Sequence, residues 1–272
     1  MLEIVYFIAI MSTMGRHNTS KLNSLLSNWP AGTVSVQPWL EKQGIYRQLT
    51  DQYAKSGWIE KVGRGAYVRA GDTVDWTGAL YALQAQLGLS VHIAGSTALT
   101  LQGYAHNLAF GSNQAAMLFG TAEENLPAWF KKSPWNKQTT YIKSNLFHRY
   151  FEVGLNKFEK NGYQVMRSTP ERAIMELVYL LPDHLSFDDV VVLMESLTTL
   201  RPKTVQSLLE NCHSIKVKRL FMWLAEYCQH QWVTKLDLSQ VDFGKGKRSI
   251  VKGGKYDKKY AITVPDMENT IS

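Results

Sequence analysis

The chain of 272 residues has only two cysteines, Cys212 and Cys228, too few for the disulfide framework of a small secreted protein. Neither lies in a CxxC or HxxxH pair. Cys212-His213 and Cys228-Gln-His230 thus offer metal-ligand residue types without ligand spacing, and no metal or other cofactor is expected. A P-loop, a dinucleotide fingerprint and a Ser-His-Asp pattern are also missing, and Gly244-Lys-Gly-Lys-Arg-Ser249 lacks the Walker spacing. No catalytic residue is therefore assigned, and a non-enzymatic protein is expected. The run from Leu2 to Met11 is apolar, but no Lys or Arg precedes it, no small-residue cleavage site follows it, and it is too short to span a bilayer. Residues 1–15 are read as a dispensable or disordered extension, with Met11 and Met14 as later starts. No membrane partner is expected, and the location expected is cytoplasmic, at the nucleoid.

What the sequence does have is positive charge, at two places. The net charge is +7. Between Arg16 and Arg69 eight basic residues face three acidic ones, and the same ratio recurs between Lys235 and Lys259, whereas residues 70–234 carry fourteen of each. A surplus confined to two segments is the footprint of a polyanion-binding surface and not of uniform solubilisation. The length and an apolar content of 45% fit two globular domains.

The pattern from residue 16 onward predicts three short helices and a hairpin. The first runs from Thr19 to Trp29, with Leu22, Leu25, Leu26 and Trp29 on one face. The second runs from Ser35 to Gln43, with Pro38 in its first turn and Gly44 after it. The third runs from Arg47 to Ser56, with Leu49 and Tyr53 inward. Residues 58–69 then alternate apolar and polar around Gly63-Arg-Gly65, as a two-stranded hairpin does. This order spells a winged helix-turn-helix over residues 16–71. Residues 76–272 are expected to form a larger mixed domain: a helix from Trp76 to Gly88, a strand from Val91 to Ala94, and a helix from Ser96 to Gln102 capped by Ser96. Strands are expected at 115–120, 139–142, 146–153 and 163–167. Helices are expected at 173–181, 187–197, 202–212 and 215–229, with a closing hairpin that pairs 248–252 with 260–264. The fold class expected is α+β, mainly helical.

The third helix presents Arg47, Gln48 and Gln52, the side chains that read guanine and adenine by paired hydrogen bonds in a major groove. Lys55, Lys61, Arg64 and Arg69 suit phosphates, and Arg64 also suits a minor groove. The C-terminal run interleaves Lys245, Lys247, Arg248, Lys252, Lys255, Lys258 and Lys259 with aromatics and glycines, as a backbone-tracking surface does; the same run also suits a charged hairpin that merely guards a sheet edge. Gly95-Ser96, between a strand and a helix, resembles the opening of a nucleotidyltransferase site. The carboxylate pair such a site needs is missing from His106-Asn-Leu-Ala-Phe110.

Several stretches together resemble the AbiEi-type antitoxins and transcriptional regulators of abortive-infection toxin–antitoxin systems. They are Gly63-Arg-Gly-Ala-Tyr67, Gly95-Ser-Thr-Ala-Leu99, Ser168-Thr-Pro-Glu-Arg-Ala-Ile174, Val217-Lys-Arg-Leu-Phe221, Val241-Asp-Phe-Gly-Lys-Gly-Lys-Arg248 and Val251-Lys-Gly-Gly-Lys-Tyr256. The resemblance implies a type IV antitoxin that represses its own operon at inverted repeats in operator DNA. It also implies a cognate nucleotidyltransferase-like toxin, neutralised without a stable complex. A pure regulator and a nucleic-acid-modifying enzyme are the alternatives.

Overall fold

Leu22, Leu25 and Trp29 recur at the spacing of one helix face, and the first helix, α1 (residues 21–28), ends just short of the last of them. The three pack with Leu40, Ile45, Tyr53, Ile59 and Tyr67 into one buried cluster, each large side chain contributing about 1.5–3 kcal/mol by leaving water. The Trp29 indole N–H donates to the Thr33 carbonyl at 3.1 Å, so burial leaves no polar group orphaned. The computed structural model describes residues 21–104 and 115–266. The expected 1–15 extension, Arg16 and the 106–110 segment lie outside the described residues. The protein is mixed α/β.

The chain divides into two compact units. The first comprises residues up to Leu89 together with 125–138 and 159–165. Its second helix, α2 (Gln37–Lys42), is shorter than the expected 35–43 because Ser35–Val36 form a strand, β1, with Pro38 held in the helix's first turn. The β-branched Val36 completes a sheet in the order β1-β3-β2, pairing with Ala66, while Ser35 pairs with Tyr67. The hairpin forms as β2 (Ile59–Gly63) and β3 (Ala66–Arg69), antiparallel, with a bulge between Lys61 and Gly63. Helix α3 (Arg47–Lys55) precedes it, and α4 (Trp76–Tyr81) follows, running into a wider turn over Ala82–Gln86. Asp75 caps α4, accepting from the Thr77 and Gly78 N–H groups at 2.9 and 3.1 Å.

Residues 125–138, read from the sequence as part of a loop, supply the short helix α6 (Ala128–Lys131) to this unit. Trp129 and Phe130 are buried, and the Trp135 indole donates to the Val74 carbonyl at 2.9 Å. Gly63 is needed here: a Cβ at that position would sit 2.7 Å from the Trp129 Cβ.

In the second unit, strands β4 (His92–Ile93), β5 (Ala116–Thr121), β6 (Thr139–Ser144), β7 (Leu155–Lys160) and β8 (Tyr163–Ser168) form a sheet ordered β6-β5-β4-β8-β7, of which residues 159–165 count with the first unit. Helices α5 (Gly95–Thr100), α7 (Pro170–Leu180), α8 (Phe187–Ser196), α9 (Pro202–Asn211) and α10 (Ile215–Tyr227) complete it, α6 being the turn of helix Ala128–Lys131 in the first unit. Three expectations are corrected. Helix α5 begins at Gly95, not Ser96, and its N-cap, Ala94, has no side-chain bond. Residues 146–153 form no strand, since Phe147 stacks on Phe151 and the carbonyls of Phe151 and Val153 accept from Arg172. The closing hairpin is β10 (Lys255–Asp257) with β11 (Ile262–Val264), and β9 (Arg248–Ser249) joins β11 in parallel, so the chain crosses over instead of folding straight back.

A charged network is buried in this unit. The carboxylate of Glu176 accepts from the Gly95 N–H at 3.1 Å, the Ser168 hydroxyl at 2.8 Å and Arg172 Nε at 3.2 Å, with His92 Nε2 at 2.8 Å. The other ring nitrogen, Nδ1, faces the Ser90 carbonyl at 3.0 Å. Glu171 takes a two-pronged contact from Arg201, at 2.9 and 3.0 Å. Burial would push both carboxyls up, yet the His92 and Arg172 charges hold Glu176, and the Arg201 and Thr169 hydrogen bonds hold Glu171, below the ordinary value of 4.5. Carboxyls lowered in the folded state lend stability that is complete above their unfolded value and lost as pH falls through the folded one. The melting temperature is therefore expected to hold between about pH 7 and 5 and to fall below about pH 4.5. Thermal melts at constant ionic strength test this, and a protein that melts higher at pH 4 than at pH 7 contradicts it.

Candidate nucleic-acid interface

Helix α3 has an inward stripe, Thr50 and Tyr53 being buried with Leu49 and Ala54 partly so, and this leaves Arg47, Gln48, Asp51, Gln52 and Lys55 exposed together. The 3.6-residue period alone sets that separation. Beside it the hairpin turn holds Lys61 and Arg64 exposed, and a groove of about 690 Å³ runs between them, lined by Arg47 and Asp51 on one wall and residues 61–65 on the other. Tyr67 lines it too. Burial, and then the Asp51 charge, raise the Tyr67 hydroxyl above its ordinary value despite Arg47, so it stays a neutral donor.

The structure brings together Arg47, Gln48, Gln52 and Lys55 on α3 with Lys61 and Arg64 on the hairpin. It does not bring Arg69. That guanidinium turns back to the end of α1, donating to the Trp29 carbonyl at 3.2 Å, and lies 3.9 Å from Asp72. Two aromatics passed over in the sequence flank α3: Tyr46 is 68% exposed before it and Trp58 52% exposed after it. Exposure of large rings is the signal, and it is legible only in three dimensions.

The second basic segment is exposed at Lys245, Lys247, Arg248, Lys252, Lys255, Lys258 and Lys259. Lys247 lies over the Tyr256 ring at 5.1 Å, and Lys259 is ion-paired with Glu226. What shapes this segment is underneath it. Arg219, 3% exposed, donates to the carbonyls of Phe243 and Gly246 at 2.7 Å each, Gly244 at 3.1 Å and Ala261 at 3.3 Å. Lys218, also buried, donates to the Asp242 carbonyl at 3.0 Å. A cationic pair in the middle of one helix thus fastens a glycine-rich loop some 25 residues later.

Comparison with known proteins supplies the deciding observation. Residues 113–265 match the family model described as a transcriptional regulator, AbiEi antitoxin of a type IV toxin–antitoxin system, and residues 18–110 match that family's N-terminal domain. The chain belongs to the AbiEi antitoxin family. It is thereby a transcriptional-regulator antitoxin of the type IV class. No curated protein matches the sequence significantly. Among solved structures, the crystal structure of the RV2827C protein from Mycobacterium tuberculosis is similar at a TM-score of 0.56 and 11% identity, covering 89% of this chain and 88% of that one, a likeness of fold.

In this AbiEi chain the motifs that carried the resemblance have structural work. Gly95 has a φ of +50°, and a Cβ there would lie 2.3 Å from Met117 Sδ, so the residue allows β5 and α7 to close on the helix start. Its N–H, the one a phosphate would seek in a nucleotidyltransferase, is taken by Glu176. Ser168, Arg172 and Glu171 of Ser168-Thr-Pro-Glu-Arg-Ala-Ile174 are the members of the buried network. Two of the candidate ligand residues, Cys212 and His230, are likewise engaged. Cys212 Sγ contacts the Ser214 carbonyl, burial pushes both cysteine thiols up to about 11, and His230 bonds the Met194 carbonyl at 2.7 Å. No helix among the described residues is long and apolar enough to cross a membrane.

Proposed function

We propose that residues 16–71 act as a winged helix-turn-helix, with α2 and α3 as its two helices and the β2–β3 hairpin as its wing, and that residues 76–272 form the antitoxin domain. The groove between α3 and the hairpin carries this reading, because its walls expose Arg47 on one side and Lys61 and Arg64 on the other. In it α3 enters a major groove, where Arg47 reads guanine and Gln48 and Gln52 read adenine, while Asp51 is placed to orient Arg47 or accept from a cytosine amine. Lys55, Lys61 and Arg64 hold phosphates. Arg69 is left out, being spent on α1.

The protein on this reading is a non-enzymatic, cytoplasmic, nucleoid-associated autorepressor that binds inverted repeats in its own promoter. It neutralises a nucleotidyltransferase-like toxin without a stable complex. Its family supports the first half, and the exposed Lys245–Lys259 segment supplies a second DNA-facing surface. Footprinting on the DNA upstream of its operon is expected to show protected repeats; no preference for that DNA over random duplex at physiological salt would contradict the repressor role. Co-expression with the product of the neighbouring gene tests the antitoxin role, which falls if that product is harmless alone.

Arg47→Ala is expected to weaken binding to the promoter by about 1–3 kcal/mol and to relax discrimination, whereas Lys55→Ala weakens promoter and random DNA alike. Titrations of both variants against both duplexes check this. An equal loss on both duplexes for Arg47→Ala places base reading on a face other than this one.

A further inference from the structure

The stretch of residues 70–234 is electrically neutral as a whole, with fourteen charges of each sign, but one part of it is not. Residues 125–138 contain three lysines, Lys131, Lys132 and Lys137, and no carboxylate. That segment belongs to the same compact unit as α3 and the hairpin, more than 50 residues earlier in sequence. Its attachment is specific. Trp129 closes against the hairpin's Gly63 so tightly that no Cβ fits between them, and Trp129 is stacked edge-on to both Phe130 and Trp135, with ring centroids 5.9 and 6.3 Å apart. The Trp135 indole is pinned to the Val74 carbonyl.

We infer that Lys131 and Lys132 form a further phosphate-binding site for duplex DNA, extending the surface of the hairpin along its outer edge. They follow Trp129, which packs on Gly63, by two and three residues, so their backbone lies within about one helical turn of Trp129, roughly 5 Å along the helix. Both are exposed, and no carboxylate pairs with either among the described residues. The two exposed ammonium groups add positive charge to the unit that carries Lys61 and Arg64, on a segment held against the hairpin at Gly63, and a duplex offers phosphate charges every few ångströms. The aromatic anchor matters as much as the charge. Trp129 fixes the hairpin edge and the backbone that carries the lysines as one body, so that side-chain ordering, and not a rearrangement of the segment, is what opposes their engagement with a rigid duplex. This site rests on the reading of α3 and the hairpin as the DNA-binding face.

The test is the salt dependence of binding of the full-length protein to a fluorescently labelled random duplex of 30 base pairs. Each lysine–phosphate contact contributes about 0.9 to the slope of log affinity against log salt. The double variant Lys131→Gln, Lys132→Gln is expected to lower the slope by about 2 and, by the same relation, to weaken binding at 0.1 M salt by roughly tenfold to sixtyfold. The pair Lys131→Arg, Lys132→Arg is expected to restore both. A charge-matched control, Lys157→Gln with Lys203→Gln on two exposed lysines of the second unit, is expected to leave the slope near the parent value. A control that loses as much slope overturns the site, since net charge then explains the effect. A second pair, Lys61→Gln with Arg64→Gln, distinguishes failure of the added site from failure of the hairpin as a DNA-binding surface. If it flattens the slope while the Lys131 and Lys132 variant does not, the added site is wrong and the hairpin reading stands. If neither variant changes the slope, both are wrong.

Discussion

Replacing Glu176 by alanine is expected to destabilise the protein by about 3–5 kcal/mol, the largest loss expected of any single substitution considered for this chain. The carboxylate lies wholly inside the second unit and is the shared partner of His92, Gly95, Ser168 and Arg172. Removing it leaves Arg172, itself only 7% exposed, as a buried cation that keeps hydrogen bonds to the Phe151 and Val153 carbonyls and the face of the Phe147 ring but no carboxylate among the described residues. Stripping one partner from a buried charge pair costs far more than the pair is worth, because the survivor keeps its desolvation penalty. Ser168→Ala removes one neutral donor and is expected to cost only about 1–2 kcal/mol. Urea denaturation of the full-length variants measures both. A midpoint for Glu176→Ala within experimental error of the parent would show the network to be dispensable.

Arg219→Met should come next, at about 3–4 kcal/mol, and its effect is expected to be local. Four backbone carbonyls converge on this one guanidinium, and hydrogen bonds to a charged donor are worth about 1.5–3 kcal/mol each, less when they share one donor group. Methionine keeps the buried volume and removes every donor. The loop carrying Lys245, Lys247 and Arg248 then loses its fastening, so amide hydrogen exchange over residues 243–264 is expected to quicken while α7 and α8 stay protected. Arg219→Lys should rescue only in part, since an ammonium cannot reproduce the planar fork. Unchanged exchange in this segment would overturn the assignment. The loss should reach DNA binding as well, because the second basic segment is presented by the loop that Arg219 shapes.

Much of the first unit was legible as local chemistry. The stripe Leu22, Leu25, Trp29, the proline in the first turn of α2 and the glycine turn at 63–65 are short-range signals, and the helices and hairpin lie near where those signals put them. The exposed face of α3 followed from the helical period. Ser35–Val36 went astray because a strand of two residues has no period to read; only the presence of β3 beside it makes it a strand. The same holds for β9 and β11, whose parallel pairing no turn sequence announces. Arg69 looked like its neighbours Lys61 and Arg64, and its diversion to the Trp29 carbonyl depends on where α1 ends in space.

The sequence by itself determined which residues could form α3 and the hairpin, where the surplus of positive charge lies, and the family whose motifs recur along the chain, because each of these depends on residue type and near-neighbour spacing. Tertiary structure alone decided which of those charges lie together. It joined residues 125–138 to a hairpin some 65 positions earlier through Gly63 and Trp129, set Glu176 beneath the N–H of Gly95, and put Arg219 under a loop that begins 24 residues later. The physical reason is common to all three: a buried aromatic or a buried charge chooses its partner by shape and by the groups left unsatisfied nearby, and those are properties of the packed chain.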